Sequence, residues 1–195
     1  FPFRLPPERR LEYIKVIGLT FDGGRITDPR LSYGILVDYS TGAKSHLVID
    51  RCVINGFYMG IEIAGGVTDV QITNCTLQQN QYGIEFWNSN ERVLIAHNVV
   101  DEGRRHPASP SSDTGDQIVF SSSDPFGLNR GITIESNEVA HSLRQGILTT
   151  RTTEVLIRGN DCHDNAATGI QVEGDVADPI PQTKYVIEDN HCWGN

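Results

Sequence analysis

The sequence predicts an all-β fold in which short strands wind into a solenoid of about seven coils. Three observations predict it: a short apolar segment recurs along the chain, a second one follows each copy, and no helical stretch lies between them. A repeat of about 23 residues that holds two or three short strands cannot bury its apolar face alone. Successive repeats must therefore stack, as the coils of a parallel β-helix do.

The first repeated segment has Ile at its start, Asn or Cys at its fourth position and an apolar residue or Cys at its sixth. Its copies are IDRCVI, ITNCTL, IAHNVV, IESNEV, IRGNDC and IEDNHC, which begin at Ile49, Ile72, Ile95, Ile134, Ile157 and Ile187. A more divergent copy begins at Val16. The regular recurrence indicates that one strand of every coil occupies the same place in the stack.

The second repeated segment is of the form Gly-Ile-x-Val and follows the first by about a dozen residues. Its copies span residues 34–37, 60–63, 83–86, 117–120, 146–149 and 169–172. Both segments alternate apolar and polar residues and are bounded by Gly, Asn and Asp, which is typical of short strands with one buried face.

The fourth position of the first segment predicts an internal ladder of polar side chains. In coil order it holds Cys52, Cys75, Asn98, Asn137, Asn160 and Asn190. Stacked Asn side chains can hydrogen-bond along the solenoid axis and satisfy the backbone at a tight bend. We therefore expect the four asparagines to form one buried column.

With these repeats, I-x-x-N-x-[IV] followed by G-I-x-[IV], the sequence resembles the right-handed parallel β-helix family of pectin-lyase-like proteins. The resemblance covers residues 13–195, which we expect to form the β-helix domain after an N-terminal extension, residues 1–12, and which could be part of a longer chain. It implies a right-handed coil, as does the chirality preference of parallel crossovers. Because lyases, hydrolases, epimerases, adhesins and tailspikes share this fold, the resemblance leaves the activity open.

The four cysteines fall in columns of this stack and have two interpretations. Cys52 and Cys75 share one column on adjacent coils, and Cys162 and Cys192 share another. Neighbouring coils lie ~4.8 Å apart, within the range that a disulfide tolerates. Inward columns more often hold reduced, packed thiols, so both states remain open.

Two insertions interrupt the regular spacing, and we expect them to mark the working face. Residues 22–33 and 101–116 enlarge the same turn in the first and fourth coils. Insertions in a solenoid are accommodated as loops, often on the binding face. The two loops are predicted to lie on one side and to flank the second and third coils like walls of a groove.

In the family that the sequence resembles, the strand after this turn commonly floors the substrate cleft, and here that strand is Gly-Ile-x-Val. Alternation directs Glu62, Glu85, Trp87, Asp38 and Gln117 outward. Stacked glutamates repel each other, so a shared proton, a cation or an Arg is needed to offset the repulsion.

These residues, with others from the long loop, form the predicted site. Glu62, Glu85 and Asp116 are candidates for catalytic acid and base or for ligands of a Ca²⁺ ion, the one cofactor that the sequence suggests. Arg144 is the candidate proton acceptor of a lyase. Candidates for substrate binding are Trp87, Asp38, Gln117, His106 and Arg105.

Composition limits the partners. The formal charge of -9 repels the phosphate backbone of nucleic acids, and no apolar run approaches the ~20 residues of a membrane-spanning helix. The resemblance and the predicted groove imply a secreted or cell-surface protein that acts on a polysaccharide as a hydrolase or lyase. The alternative is a non-catalytic extracellular structural, adhesin or filament module whose uncapped ends make end-to-end contacts.

Overall fold

The computed structural model describes residues 3–5, 11–24, 28, 32–38, 44–107, 114–122, 127–174 and 183–195. In these ranges the chain forms three parallel sheets of seven strands each. The predicted all-β, right-handed parallel β-helix of about seven coils is thereby confirmed. No helix in the described ranges is long and apolar enough to cross a membrane.

Counted from Leu11, each of the first six coils contributes one strand to each sheet, and the seventh contributes a strand to two of them. Sheet A, which contains the Gly-Ile-x-Val segments, consists of β1 (Phe3–Leu5), β4 (Tyr33–Val37), β7 (Met59–Ile63), β10 (Tyr82–Trp87), β13 (Ile118–Ser121), β16 (Gln145–Thr150) and β19 (Thr168–Glu173). Sheet B consists of β2 (Leu11–Ile17), β5 (Lys44–Asp50), β8 (Val67–Thr73), β11 (Glu91–Ala96), β14 (Asn129–Glu135), β17 (Thr152–Arg158) and β20 (Tyr185–Glu188). Sheet C consists of β3 (Thr20–Asp22), β6 (Val53–Asn55), β9 (Thr76–Gln78), β12 (Val99–Asp101), β15 (Glu138–Ala140), β18 (Asp161–His163) and β21 (His191–Trp193).

The strand β1 lies within the segment predicted as an N-terminal extension. It pairs in parallel with β4, with Phe3 beside Ile35. Residues 3–5 thus add a first strand to sheet A.

The core follows the repeat because equal positions of successive coils stack in register. Ile49 pairs with Ile72, and Ile72 pairs with Ile95. These three side chains are fully buried. Each is covered above and below by a similar apolar side chain, which is why the alternation in the sequence identified the inward face.

The predicted asparagine column is confirmed, with Asn98, Asn137 and Asn160 buried and Asn190 half-buried. Asn137 Oδ1 accepts a hydrogen bond from the backbone N–H of Asn98 at 3.0 Å, and Asn137 Nδ2 donates to the carbonyl of Ile95 at 3.0 Å. Asn160 accepts in the same way from the N–H of Asn137, and Asn190 accepts from that of Asn160. The ladder continues into the cysteines, since the N–H of Cys75 donates to Asn98 Oδ1 at 2.9 Å.

Two further sets of asparagines support the other corners of the coil. Between sheets C and A, Asn80 Oδ1 accepts from the N–H of Phe57, and Asn165 Oδ1 accepts from that of Ser142. Between sheets A and B, Asn129 Oδ1 accepts from the N–H of Asn90 at 3.1 Å. All three corners therefore use Asn to pair backbone groups that the sheets leave free.

All four cysteines are free thiols. Cys162 and Cys192 are direct register partners in sheet C, and the N–H of Cys52 points at Cys75 Sγ over 3.4 Å. The predicted columns are thus confirmed with the thiols reduced. Burial raises the pKa of Cys75 to about 12, which keeps that thiol protonated and unreactive.

The last strand of each sheet exposes its inward positions, because no further described coil covers them. Ile187 is 49% exposed although it continues the buried column of Ile134 and Ile157. Val172 and Cys192 are also exposed there.

We predict that Asn137→Leu lowers the free energy of unfolding by ~1 to 3 kcal/mol, because it leaves the buried N–H of Asn98 and the carbonyl of Ile95 on the preceding coil unpaired. Urea denaturation followed by circular dichroism would measure the change. Glu138→Gln, an exposed neighbour, is the matched control and should change stability by less than ~0.5 kcal/mol. An Asn137→Leu protein as stable as this control would contradict the role of the ladder.

Candidate functional site

The register of sheet A brings Glu62 and Glu85 side by side, as the sequence predicted. The two residues are direct partners on β7 and β10, so their Cα atoms lie about one strand spacing, ~4.8 Å, apart. Leu36 precedes them in the same outward column, and Val119 follows. The acidic pair is therefore bordered by apolar side chains on both neighbouring strands.

The two carboxyl groups occupy different environments. Glu85 is only 4% exposed, and its Oε2 has no hydrogen-bond partner. Burial and the charge of Glu62 raise the pKa of Glu85 to about 8. Glu62 is half-buried, and burial together with the charge of Asp38 raises its pKa to about 7. Near neutral pH the pair consists of one protonated and one more readily ionised carboxyl group.

Three tyrosines surround this pair, and the sequence analysis missed them. Burial and the charges of Glu62 and Glu85 raise the pKa of Tyr33 to about 12, and the same causes raise the pKa of Tyr58. The ring of Tyr82 packs edge-on against Tyr58 with centroids 5.7 Å apart. The phenols therefore remain neutral and can donate hydrogen bonds at the site.

A sequence signal for the tyrosines existed. In coils one and three a Tyr immediately precedes the Gly of the Gly-Ile-x-Val segment, and in coil two it stands one residue earlier. The alternation rule assigns an inward or outward direction only within a strand. Tyr33 and Tyr82 are the first residues of their strands and Tyr58 precedes its strand, so the rule could not place the tyrosines beside the glutamates.

Trp87 and Asp38 lie at the predicted outward positions next to the pair. The indole of Trp87 lies close to the carboxyl group of Glu85 and opposes part of the rise in that pKa. Asp38 forms an ion pair with Arg4, and its backbone carbonyl accepts from Lys44 Nζ at 3.0 Å. Trp87 is half-buried and orients a carboxyl group rather than standing free on the surface.

Asp116 and Arg144 lie on the neighbouring coils. Asp116 Oδ1 accepts from the N–H of Gln145 at 2.9 Å. Burial raises the pKa of Asp116, while Arg144 lowers it. The charge of Asp116 also contributes to the raised pKa of Glu85, so the structure brings Asp116 within electrostatic reach of the pair.

The two enlarged loops do lie on the same side, but they meet instead of standing apart. Ser32 Oγ, from the first loop, lies 3.0 Å from His106 Nε2 of the second. His106 also donates its backbone N–H to Gln81 Oε1 at 3.0 Å. The described part of the long loop thus runs back along the coils and borders one edge of sheet A. Residues 25–27, 29–31 and 108–113 of these loops lie outside the described residues.

Two of the predicted substrate-binding residues, His106 and Gln117, are buried instead of facing the groove. His106 is 2% exposed and joins the loops. Gln117 was expected to face outward but is 1% exposed, because it takes the place of a Gly at the bend. Its amide group fills the space between Gly83 and Gly103. Arg105 is exposed, as expected of a loop arginine.

No three or more His, Cys, Asp or Glu side chains in the described ranges are grouped so that they could hold a metal ion. The site is instead a pair of carboxyl groups, Glu85 buried and Glu62 half-buried, with phenol and indole groups near it. Such an arrangement can deliver a proton from one carboxyl group while the other accepts one.

Comparison with known proteins gives one family. The model of the family described as "Periplasmic copper-binding protein (NosD)" matches residues 20–195. No curated protein and no solved structure matches the chain.

The raised pKa values predict a pH-dependent stability. Between about pH 5 and pH 8 the folded protein holds more protons on Glu62 and Glu85 than the unfolded chain does, so the free energy of unfolding falls as pH rises. In Glu85→Gln we expect the free energy of unfolding to decrease by ~1 to 3 kcal/mol less between pH 5 and pH 8 than in the wild type. The variant should therefore be more stable than the wild type at pH 8. Urea denaturation at both pH values would measure it.

Glu138→Gln, on the exposed face of sheet C, serves as the matched control and should retain the pH dependence of the wild type. If Glu85→Gln retains it too, the buried carboxyl group is not the cause.

Proposed function

We propose that this chain, which belongs to the NosD family, binds a polysaccharide on sheet A and cleaves its glycosidic bonds with Glu62 and Glu85. The family accounts for the β-helix, and its description names the periplasm, which agrees with an envelope or extracellular location. Within that location, we propose that the protein is secreted or displayed on the cell surface. The polysaccharide comes from the site alone, since the family description names none.

The observation that carries the proposal is the direct pairing of two carboxyl groups in unlike environments. Hydrolysis of a glycosidic bond uses one carboxyl group as acid and a second as base or nucleophile, with raised pKa values suited to proton transfer. Glu85, more deeply buried and with the higher pKa, is the proposed acid. Glu62, half-buried and more easily ionised, is the proposed base or nucleophile.

The spacing and the surrounding donors fit this chemistry. Because Glu62 and Glu85 are direct register partners, their carboxyl groups can approach the ~5 Å separation at which the second carboxylate attacks the sugar directly and the configuration is retained. The phenols of Tyr33, Tyr58 and Tyr82 would donate hydrogen bonds to sugar hydroxyls. Arg144, near Asp116, would contact an acidic group of the chain or, in a lyase, accept the proton.

Copper, which the family description names, does not fit the described residues. Cys52, Cys75 and Cys162 are buried in the core, and burial raises the pKa of Cys75 and Cys162. Met59, the one methionine of the chain, is 9% exposed. Within the part of the chain that the structure describes, these donors form no metal-holding group, and no step of the proposal uses copper.

The predicted calcium ligands Glu62, Glu85 and Asp116 do not form such a group among the described residues either, and the hydrolytic proposal does not depend on calcium. A non-catalytic module is the other hypothesis that remains. It differs in one measurable respect, because it predicts glycan binding or stacking without any bond cleavage.

We predict that Glu85→Gln and Glu62→Gln each reduce cleavage of a polysaccharide substrate by about 100-fold or more, since each removes a group that transfers a proton. A panel of neutral and uronic-acid polysaccharides, with and without Ca²⁺, would identify the substrate. Reducing ends report hydrolysis, and absorbance of unsaturated products reports a lyase.

The matched control is again Glu138→Gln, which should cleave like the wild type. Full activity of Glu85→Gln on the identified substrate would overturn the assigned acid, and binding without cleavage by the wild type would favour the module.

A further inference from the structure

Two cysteines, Cys162 and Cys192, face each other on the last two coils of sheet C. They are direct register partners on β18 and β21, so their Cα atoms lie about one strand spacing, ~4.8 Å, apart. That separation falls within the ~4.4 to 6.8 Å that a disulfide spans. Cys52 and Cys75 lie on adjacent coils in the same way, which allows a direct comparison of the two pairs.

Hydrogen bonds on both sides fix the spacing of Cys162 and Cys192. Two residues before the cysteines, the N–H of Asn160 donates to Asn190 Oδ1 at 3.0 Å. Three residues after them, Asn195 Nδ2 donates to the carbonyl of Cys162 at 3.0 Å, and the N–H of Asn165 donates to Asn195 Oδ1 at 3.1 Å. The two coils are already held in register, so no loop has to move to bring the thiols together.

The two side chains border the same space, next to Gly169 of sheet A. A Cβ atom added to Gly169 would lie 3.0 Å from Cys192 Sγ and 3.1 Å from Cys162 Cβ. That position holds no side chain because residue 169 is a Gly. The sulfur atoms can therefore approach each other by rotation about the Cα–Cβ bonds, between staggered rotamers.

Access from solvent distinguishes the two cysteine pairs. Cys192 is exposed, whereas Cys52, Cys75 and Cys162 are buried. Thiol–disulfide exchange begins when a thiolate attacks a sulfur atom of an incoming disulfide, so it needs access at one cysteine of a pair. Cys162 and Cys192 meet this requirement, and Cys52 and Cys75 do not.

The surroundings of the thiols indicate which of them reacts first. Burial raises the pKa of Cys192, and the neighbouring Cys162 thiol offsets part of this rise. Burial also raises the pKa of Cys162, but there the partner thiol adds to the rise. Cys192 is therefore the thiol that ionises more readily. It lines a cavity of about 480 Å³ bordered by Glu188 and Asp189, which favour a cationic reagent over an anionic one.

We propose that Cys162 and Cys192 close a disulfide bond that fastens the seventh coil to the sixth, while Cys52 and Cys75 stay reduced. The Cys192 thiolate attacks a small disulfide or the disulfide of an oxidoreductase and releases one thiol. The Cys162 sulfur then attacks Cys192 Sγ of this mixed disulfide and releases the second thiol. The cysteines lose two electrons and two protons, which reduce the incoming disulfide to two thiols. The envelope or extracellular location proposed above is oxidising and permits this step.

The test treats the reduced protein with cystamine, a small cationic disulfide, blocks the remaining thiols and maps the cysteines by mass spectrometry after trypsin digestion without reduction. Trypsin separates residues 159–184 from residues 185–195, so the proposed disulfide joins these two peptides. Cys52 and Cys75 share the peptide 52–92, which should keep both thiols. We expect the joined peptides as the main product, formed about 10-fold faster at pH 8 than at pH 7 because the thiolate fraction rises with pH.

Hydrogen exchange gives the structural readout. A disulfide restricts the opening of the last coil, so amide exchange in β21 should slow at least ~10-fold in the oxidised protein. Cys192→Ser should show neither the joined peptides nor the slower exchange. Cys75→Ser, which changes a cysteine of the other pair, is the matched control and should show both.

The peptide map of the wild type decides the proposal without any variant. Absence of reaction, a product that stops at the mixed disulfide on Cys192, or two chains joined through Cys192 would each overturn it. Cross-linking of Cys52 to Cys75 at a similar rate would also overturn it, because access would then not determine which pair reacts. None of these outcomes affects the roles proposed for Glu62 and Glu85, since the two sites share no residue.

Discussion

The structure depends on the pairing of backbone groups at the corners of each coil. Sheets satisfy the backbone along the strands, but the chain turns three times per coil, and each turn buries N–H and carbonyl groups that no strand reaches. Asn side chains solve this at all three corners, as Asn98 and Asn137 do between sheets B and C. Because each Asn binds the coil next to it, the ladders also fix the register. A slip of one residue would leave the corners that these asparagines support unpaired.

The same constraint creates the site. Once the ladders hold adjacent coils in register, Glu62 must lie beside Glu85, whatever the cost of bringing two acidic groups together. The protein lowers that cost by burying the pair enough to keep a proton on it. A framework selected only for stability would carry apolar or neutral residues at these two positions, as it does at Leu36 and Val119 in the same column. Residues that reduce stability locally are typical of functional positions.

Much of this could be predicted from the sequence because the repeat is one-dimensional. The spacing of the Ile and Asn residues places each coil on its neighbour, and this was enough to predict the three-dimensional contact between Glu62 and Glu85. The sequence could not predict what happens where the repeat is interrupted or the chain bends. Alternation gave no direction for Tyr58, which precedes its strand, or for Tyr82, which begins one. It sent Gln117 outward, although that residue lies at a bend just before β13. The contact of Ser32 with His106 depends on the path of a long loop, which no periodicity specifies.

The exposed apolar residues of the seventh coil have a consequence for how motion spreads through the molecule. Each coil contacts only the coils on either side, so a fluctuation that loosens β20 or β21 must pass through every intervening coil to reach the centre. Its effect therefore decays with each interface it crosses. The carboxyl pair lies on the second and third coils, four interfaces away from Ile187. Position along the axis thus insulates the carboxyl pair from a fluctuation that begins in β20 or β21.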